Sequence, residues 1–165
     1  QYIKTLDENF LKVADQIRMW GQITESAAVA EIVASDFETR VRRIDEKMAN
    51  YSPASSIFQD VGDFWTPGSD TLVHEVFDLL KLKNIAHDIT GYGQLSPEII
   101  VERNPEYIIT TYDDAFTGEP AFAEILAVKN NGLYTPSVDY LSTAGPRFVD
   151  GIEELASKIY PELFE

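Results

Sequence analysis

Apolar residues recur every three or four positions through the first third of the chain, and that rhythm then breaks into shorter pieces. Phe10, Val13, Ala14 and Ile17 fall at helical spacing behind Thr5-Leu6-Asp7-Glu8, which has the hydroxyl and carboxylate of a capping box. Gly21 reads as the stop of that helix. A second helix is expected from about Glu25 to about Ala49, because Ala30, Val33, Phe37, Val41, Ile44 and Met48 form one apolar stripe. Its other face carries Glu31, Glu38, Arg42, Arg43 and Lys47 and reads as solvated.

Ser52-Pro53-Ala54-Ser55 interrupts the helical pattern, and Ile57-Phe58 then reads as a short buried strand. Thr66-Pro67-Gly68-Ser69 is a turn leading into a helix from Asp70 to about Leu82, with Leu72, Val73, Val76, Phe77 and Leu80 inward. Ser96-Pro97-Glu98 opens another helix with a hydroxyl cap, a first-turn proline and a carboxylate. Asn104-Pro105 ends it, and Tyr107-Ile108-Ile109-Thr110-Thr111 has the β-branched and aromatic make-up of a buried strand. A helix from about Pro120 to about Val128, a short strand at Gly132-Leu133-Tyr134 and a last helix from Pro146 with Phe148, Ile152, Leu155 and Ile159 inward complete the pattern. Short strands alternating with helices after residue 50 predict an α/β layer with a small parallel sheet, preceded by two long helices. No internal repeat and no low-complexity linker interrupts it.

Composition narrows the function. The chain is 44% hydrophobic and 25% charged, which is globular, and 28 acidic against 13 basic residues leave a formal charge of -15. That field repels phosphate backbones and anionic membrane surfaces, so nucleic acid is not an expected partner. With no cysteine, thiol catalysis, disulfides and thiolate metal sites are excluded. No run approaches the ~20 apolar residues of a membrane span. The opening residues lack the charged and apolar regions of a secretion signal, so the compartment is not read from them.

Motifs for catalysis are weak. Gly91-Tyr92-Gly93-Gln94-Leu95-Ser96 begins like a dinucleotide loop but has Ser96 at the third glycine, and no Walker lysine motif exists. His74 and His87, the only histidines, lack metal-ligand spacing and read as surface or hydrogen-bonded residues. No serine sits in a G-x-S-x-G elbow. Asp113-Asp114 follows a strand where open α/β sheets expose their ligand edge, although a solvated loop is the favoured reading of the pair. Trp65, before a turn, and Tyr92, between glycines, occupy loop positions where a ring either covers the end of the core or faces a planar ligand.

Several stretches resemble a known family in order and spacing. They are Phe64-Trp65-Thr66-Pro67-Gly68-Ser69 followed by Val76-Phe77-Asp78-Leu79-Leu80-Lys81-Leu82-Lys83-Asn84-Ile85-Ala86, then Tyr92-Gly93-Gln94-Leu95-Ser96-Pro97-Glu98 with Asn104-Pro105-Glu106-Tyr107, then Ala144-Gly145-Pro146-Arg147-Phe148 and Tyr160-Pro161. Together they resemble the C-terminal lobe of the cobalamin and iron-siderophore binding proteins, solute receptors whose two lobes are joined by one helix. Glu106 stands where that family has aspartate, and Leu82-Lys83 replaces its double glycine.

The resemblance implies a Rossmann-like α/β lobe, with residues 1–22 as an interlobe helix and 23–165 as the lobe. It implies binding without catalysis or cofactor, an extracytoplasmic location, and a metal chelate (ferric siderophore, haem or corrinoid) handed to an ABC transporter permease. Trp65, Tyr92 and Tyr140 match the aromatic residues lining the ligand cleft, and Glu98 matches the carboxylate that docks onto the transporter. Two rival expectations are a half-domain of a nitrogenase- or chelatase-like enzyme and a stand-alone protein-interaction module.

Overall fold

The computed structural model describes residues 12–52, 55–112, 114–136, 141 and 143–164. The chain divides into two compact units: Gln1–Tyr51 with Val138–Glu165, and Ser52–Ser137.

The first unit is helical. Helices α1 (Lys12–Ile23) and α2 (Ala27–Met48) lie against each other as a hairpin. At 22 residues α2 is about 33 Å long. It buries Ala30, Ala34, Phe37, Val41, Ile44 and Met48, so the expected stripe holds, with Ala34 inward and Val33 only partly covered. Gly21 does not stop α1. It lies inside the helix, where a Cβ would run into the Cβ of Ala30, so its role is to let the two helices approach closely. The chain reverses instead at Thr24–Ser26, with Glu25 at φ 56° and the Ser26 amide donating to the Gly21 carbonyl at 2.8 Å.

Nor is the outer face of α2 wholly solvated. The Arg18 guanidinium forks onto Glu31 at 2.9 Å and Glu38 at 2.7 Å, holding both carboxyls below their ordinary range. Helices α7 (Phe148–Ile159) and α8 (Pro161–Phe164) belong to the same unit, and Arg40 of α2 binds Asp150 and Glu153 of α7 at 2.7 and 2.6 Å. The capping box at Thr5–Glu8 and Phe10 lie outside the described residues.

The second unit is the α/β layer. Its four parallel strands run in the order β3-β1-β5-β6, where β1 is Ser56–Asp60, β3 Lys83–Asn84, β5 Tyr107–Thr110 and β6 Leu133–Tyr134. Phe58 pairs with Ile108 and Ile108 with Leu133. Because side chains alternate along a strand, this register gathers Phe58 and Ile108 on one face, where they join Ile100, Phe116, Phe122 and Ile125 in a buried cluster.

The helices around the sheet start where their caps predict. Thr71 accepts from the His74 amide to begin α3 (Leu72–Leu79), and Ser96 caps α4 (Pro97–Arg103). Asn104 ends α4 in the left-handed region at φ 45°. The short helix α5 (Asp114–Thr117) follows β5. The helix expected from Pro120 to Val128 is two pieces, a 3-10 turn at Pro120–Phe122 and α6 (Leu126–Lys129). The break arises because the Leu126 amide donates to the Asn104 side chain at 2.9 Å and the Ala127 amide to the Pro105 carbonyl at 2.9 Å, in place of helical partners.

Candidate ligand-binding edge

Strand β1 is followed by chain leading toward β3, and β5 by chain leading toward β6, so the connections diverge at the seam between these two central strands. Such a divergence leaves a crevice beyond the carboxyl ends of the strands, where open α/β sheets place ligands. Here that crevice has a volume of about 330 Å³ and is lined by Asp60, Gly62, Asp63, Phe64, Tyr112 and Ala115.

Asp60, the last residue of β1, is only 4% exposed and organises both sides of the seam. Its Oδ1 accepts from the amides of Gly62 at 3.0 Å and Phe64 at 2.9 Å, and its Oδ2 accepts from the Thr110 hydroxyl at 3.2 Å. The Thr110 oxygen in turn accepts from the Tyr112 amide at 2.9 Å. Charge-assisted bonds to two amides hold a loop in which Gly62, Asp63 and Phe64 all have positive φ, a conformation that costs L-residues about 1 kcal/mol or more each.

The loop turns the chain into β2 (Trp65–Pro67), which pairs antiparallel with β4 (Tyr92–Gln94). Trp65 stands opposite Gln94 and Pro67 opposite Tyr92, while Thr66 and Gly93 face the other side. Trp65 and Tyr92 therefore share one face of a two-stranded ribbon as diagonal neighbours, a spacing within reach of aromatic side chains. The two residues are 47% and 56% exposed, so each presents a large apolar surface to solvent. The ribbon is fastened at both ends of β2: Gln94 Nε2 donates to the Asp63 carbonyl at 2.7 Å and buried Asn84 Nδ2 to the Pro67 carbonyl at 2.8 Å.

Of the other residues singled out from sequence, Glu98 is exposed in the first turn of α4, where the Ser96 hydroxyl, then a backbone N–H, hold its carboxyl below the usual range. It is ionised near neutral pH. Tyr140 and Asp113 lie outside the described residues, and Asp114 opens α5. His74 Nδ1 meets Asn84 Nδ2 at 3.2 Å, and His87 Nδ1 meets the Asn84 carbonyl at 3.0 Å, so both histidines are hydrogen-bonded. Among the described residues no group of three or more His, Asp or Glu is placed to hold a metal ion, and no helix is long and apolar enough to cross a membrane. Tyr112, 55% exposed at the seam, was not marked by sequence reasoning. An aromatic directly after a buried parallel strand was the available clue.

One ion pair braces this edge. Arg103 of α4 binds Asp88 through both oxygens at 2.6 and 2.7 Å and so ties α4 to the segment leading into Tyr92. The guanidinium pulls the Asp88 carboxyl down to about 2. A depressed carboxyl contributes stability that is present above the unfolded value of ~3.9 and is lost as pH falls toward 2. The pair is half exposed, so Asp88→Asn is expected to cost only ~0.2–1 kcal/mol near neutral pH. The variant should also lose less than wild type between pH 4 and 2, as measured by urea unfolding at each pH.

Comparison with known proteins identifies the family. The family model for periplasmic binding proteins matches residues 2–137, and the chain belongs to that family, whose members bind solutes and are not enzymes. The uncharacterized ABC transporter substrate-binding lipoprotein YvrC of Bacillus subtilis is 32% identical over 166 residues, covering 96% of this chain and 53% of that protein. The vitamin B12-binding protein of Vibrio cholerae is 27% identical over 159 residues, covering 93% of this chain and 56% of its own length. Among solved structures, a possible iron-binding periplasmic solute-binding protein from Staphylococcus epidermidis superposes with a TM-score of 0.79 at 26% identity, covering 93% of this chain and 63% of that one. The chain spans about half the length of the curated relatives it matches.

Proposed function

We propose that this chain forms one wall of the ligand site in the substrate-binding component of an ABC importer for a metal chelate. The observation that carries the reading is the pair of half-open rings, Trp65 and Tyr92, on one face of a ribbon at the carboxyl edge of a parallel sheet. Rings held this way offer apolar faces to a planar or rounded cargo at little entropic cost, because hydrogen bonds from Asn84 and Gln94 already fix the backbone beneath them. The metal arrives inside the chelate, so the protein need supply no metal ligands. Ferric siderophores, haem and corrinoids are the candidate cargoes, in keeping with relatives that include a vitamin B12-binding protein and an ABC transporter lipoprotein.

On this reading residues 1–22 belong to the interlobe helix, residues 23–165 form the C-terminal lobe, and a second lobe supplies the opposite wall. Tyr140 is a further cleft aromatic. The protein works outside the cytoplasm and docks on the transporter permease, where ionised, exposed Glu98 pairs with a basic residue. A rim charge of this kind governs docking rate and salt dependence more than cargo affinity.

The test is calorimetric titration of the full-length protein with cyanocobalamin, haem and ferrioxamine. One of these should bind saturably. Trp65→Ala and Tyr92→Ala should each weaken it by on the order of 30-fold, the ~2 kcal/mol of an aromatic anchor. Glu98→Ala should leave that affinity unchanged while slowing uptake in cells. No binding of any chelate, or affinity indifferent to both rings, would count against the proposal and in favour of a protein-interaction module.

A further inference from the structure

We propose that the crevice at the seam of β1 and β5 receives a peripheral substituent of the cargo, with Tyr112 as a third contact ring and Asp63 as the group that rejects carboxylates. This rests on the chelate-binding reading above and deepens it, from a class of cargo to the chemistry of the cargo's periphery.

Placement comes first. The Trp65 amide donates to the Gly62 carbonyl at 2.9 Å, and the Val61 amide donates to the Trp65 carbonyl at 2.8 Å. The Tyr112 ring approaches Gly62, its Cε2 3.5 Å from the place a Cβ would occupy. The Trp65 backbone and the Tyr112 ring therefore both adjoin Gly62, which lines the crevice, so the ribbon begins at the crevice's own wall. Gly62 sits at φ 122°, a backbone conformation that L-residues rarely adopt.

Shape and exposure agree. At about 330 Å³ the crevice is at the lower end of small-molecule pockets, room for a side arm of a chelate rather than for its macrocycle. Phe64 and Ala115 contribute apolar lining, and Tyr112 stands 55% exposed at its side although no core position requires an aromatic there.

Charge then sets the preference. Among the described residues the lining contributes the side chains of Asp60 and Asp63, a phenol, and no cationic side chain. Asp60 already accepts three hydrogen bonds from its own loop and from Thr110, so it serves mainly to hold the walls. Asp63 is exposed, with its backbone carbonyl taken by Gln94 and its carboxylate at the rim. An incoming carboxylate would meet the like charge of Asp63 with that of Asp60 behind it, whereas an amide, hydroxyl or ammonium group could donate to Asp63. The crevice thus favours a chelate whose periphery carries donor groups over one that carries free acids, a preference the net charge of -15 reinforces at longer range.

Matched probe pairs test this in the full-length protein: cyanocobalamin against its monocarboxylic acid, and haem against haem dimethyl ester. For whichever pair binds, the uncharged member should bind at least tenfold more tightly. Asp63→Asn should shrink that ratio severalfold, chiefly by tightening the carboxylate member, a change that a purely structural role for Asp63 would not produce. Tyr112→Ala should weaken both members about tenfold, with Tyr112→Phe recovering most of the loss, and circular dichroism should show both variants folded. If Trp65→Ala weakens binding but Tyr112→Ala does not, or if the ratio is near one in wild type or unmoved in Asp63→Asn, the crevice is no part of the site and the inference falls alone. If neither pair binds and ferrioxamine does not bind either, the chelate reading falls and takes the inference with it; if ferrioxamine alone binds, indifference of its affinity to Tyr112→Ala overturns the inference by itself.

Discussion

Replacing Phe116 by alanine is expected to remove ~3–5 kcal/mol of stability, the largest loss foreseen for a single side chain here. Phe116 is fully buried on the four-residue helix α5, and its ring meets those of Phe58 at 6.2 Å, Phe64 at 5.7 Å and Phe122 at 5.1 Å. A helix so short has almost no intrinsic stability, so its position depends on this anchor. Truncation would leave a void among three rings that are themselves fixed by a strand, a hydrogen-bonded loop and a 3-10 turn, and so collapse poorly. The effect should reach the ligand edge as well, because Phe64 lines the crevice on one side and packs on Phe116 on the other. Urea unfolding at constant m-value measures the stability. A cost below ~1.5 kcal/mol would mean that the cluster repacks freely. Phe116→Leu keeps most of the volume and should cost about half as much.

Much of this architecture is legible in the residues. The stripe of α2 is long enough for its period to be unmistakable, and Ser96-Pro97-Glu98 with Asn104-Pro105 brackets α4 to within a residue, because caps and breakers act locally. Ile57-Phe58 and Tyr107–Thr110 are short, but their β-branched and aromatic content fits strands buried on both faces.

The ribbon was not legible. Each of its strands is three residues long, and they contain Pro67 and Gly93, which lack an amide donor and a side chain respectively and so argue against a strand. What makes them a ribbon is nonlocal: the hydrogen bond from Asn84 and the pinch between residues 68–69 and 89–91. The same holds for Gly21. A glycine at the end of an apolar pattern looks like a stop, and only the partner helix shows that it is a contact point. Nor could the division into units be read in chain order, since residues 138–165 return to the unit of the first helices.

For the site, local reasoning went further. A tryptophan before Thr-Pro-Gly and a tyrosine between glycines were recognisable as rings with no evident core duty, and both prove half exposed. That they share a face depends on a register between residues 27 positions apart, which no local pattern encodes. Tyr112 went unremarked because its meaning comes from strand order: only when β5 is known to adjoin β1 does the residue after β5 become a neighbour of the loop after β1.

Gly68 joins these threads, and Gly68→Ala is expected to cost ~2–3 kcal/mol and to weaken cargo binding although Gly68 lies just past the ribbon and carries no ring. Its backbone φ is not positive, so the constraint is space. A Cβ there would run into the carbonyl oxygen of Ile89, with the carbonyl carbon and Cβ of Ile89 each 2.8 Å away. The neighbouring backbone cannot retreat cheaply. The Gly68 amide donates to the Gly91 carbonyl at 2.7 Å, the Ser69 amide to the Ile89 carbonyl at 2.6 Å, and the Gly91 amide back to Ser69 at 2.8 Å. Moving Ile89 aside would strain all three and carry Tyr92 with it. Gly145→Ala is the control: among the described residues nothing lies within 4 Å of a Cβ there and its φ is ordinary, so its stability should stay within ~0.5 kcal/mol of wild type or rise slightly. Thermal or urea unfolding of both variants, with calorimetric titration of whichever chelate binds wild type, separates the cases. Equal losses at the two glycines would show that a general glycine effect is at work, whereas a loss at Gly68 alone, accompanied by weaker binding, would show that the close backbone approach behind the ribbon sets the position of its rings.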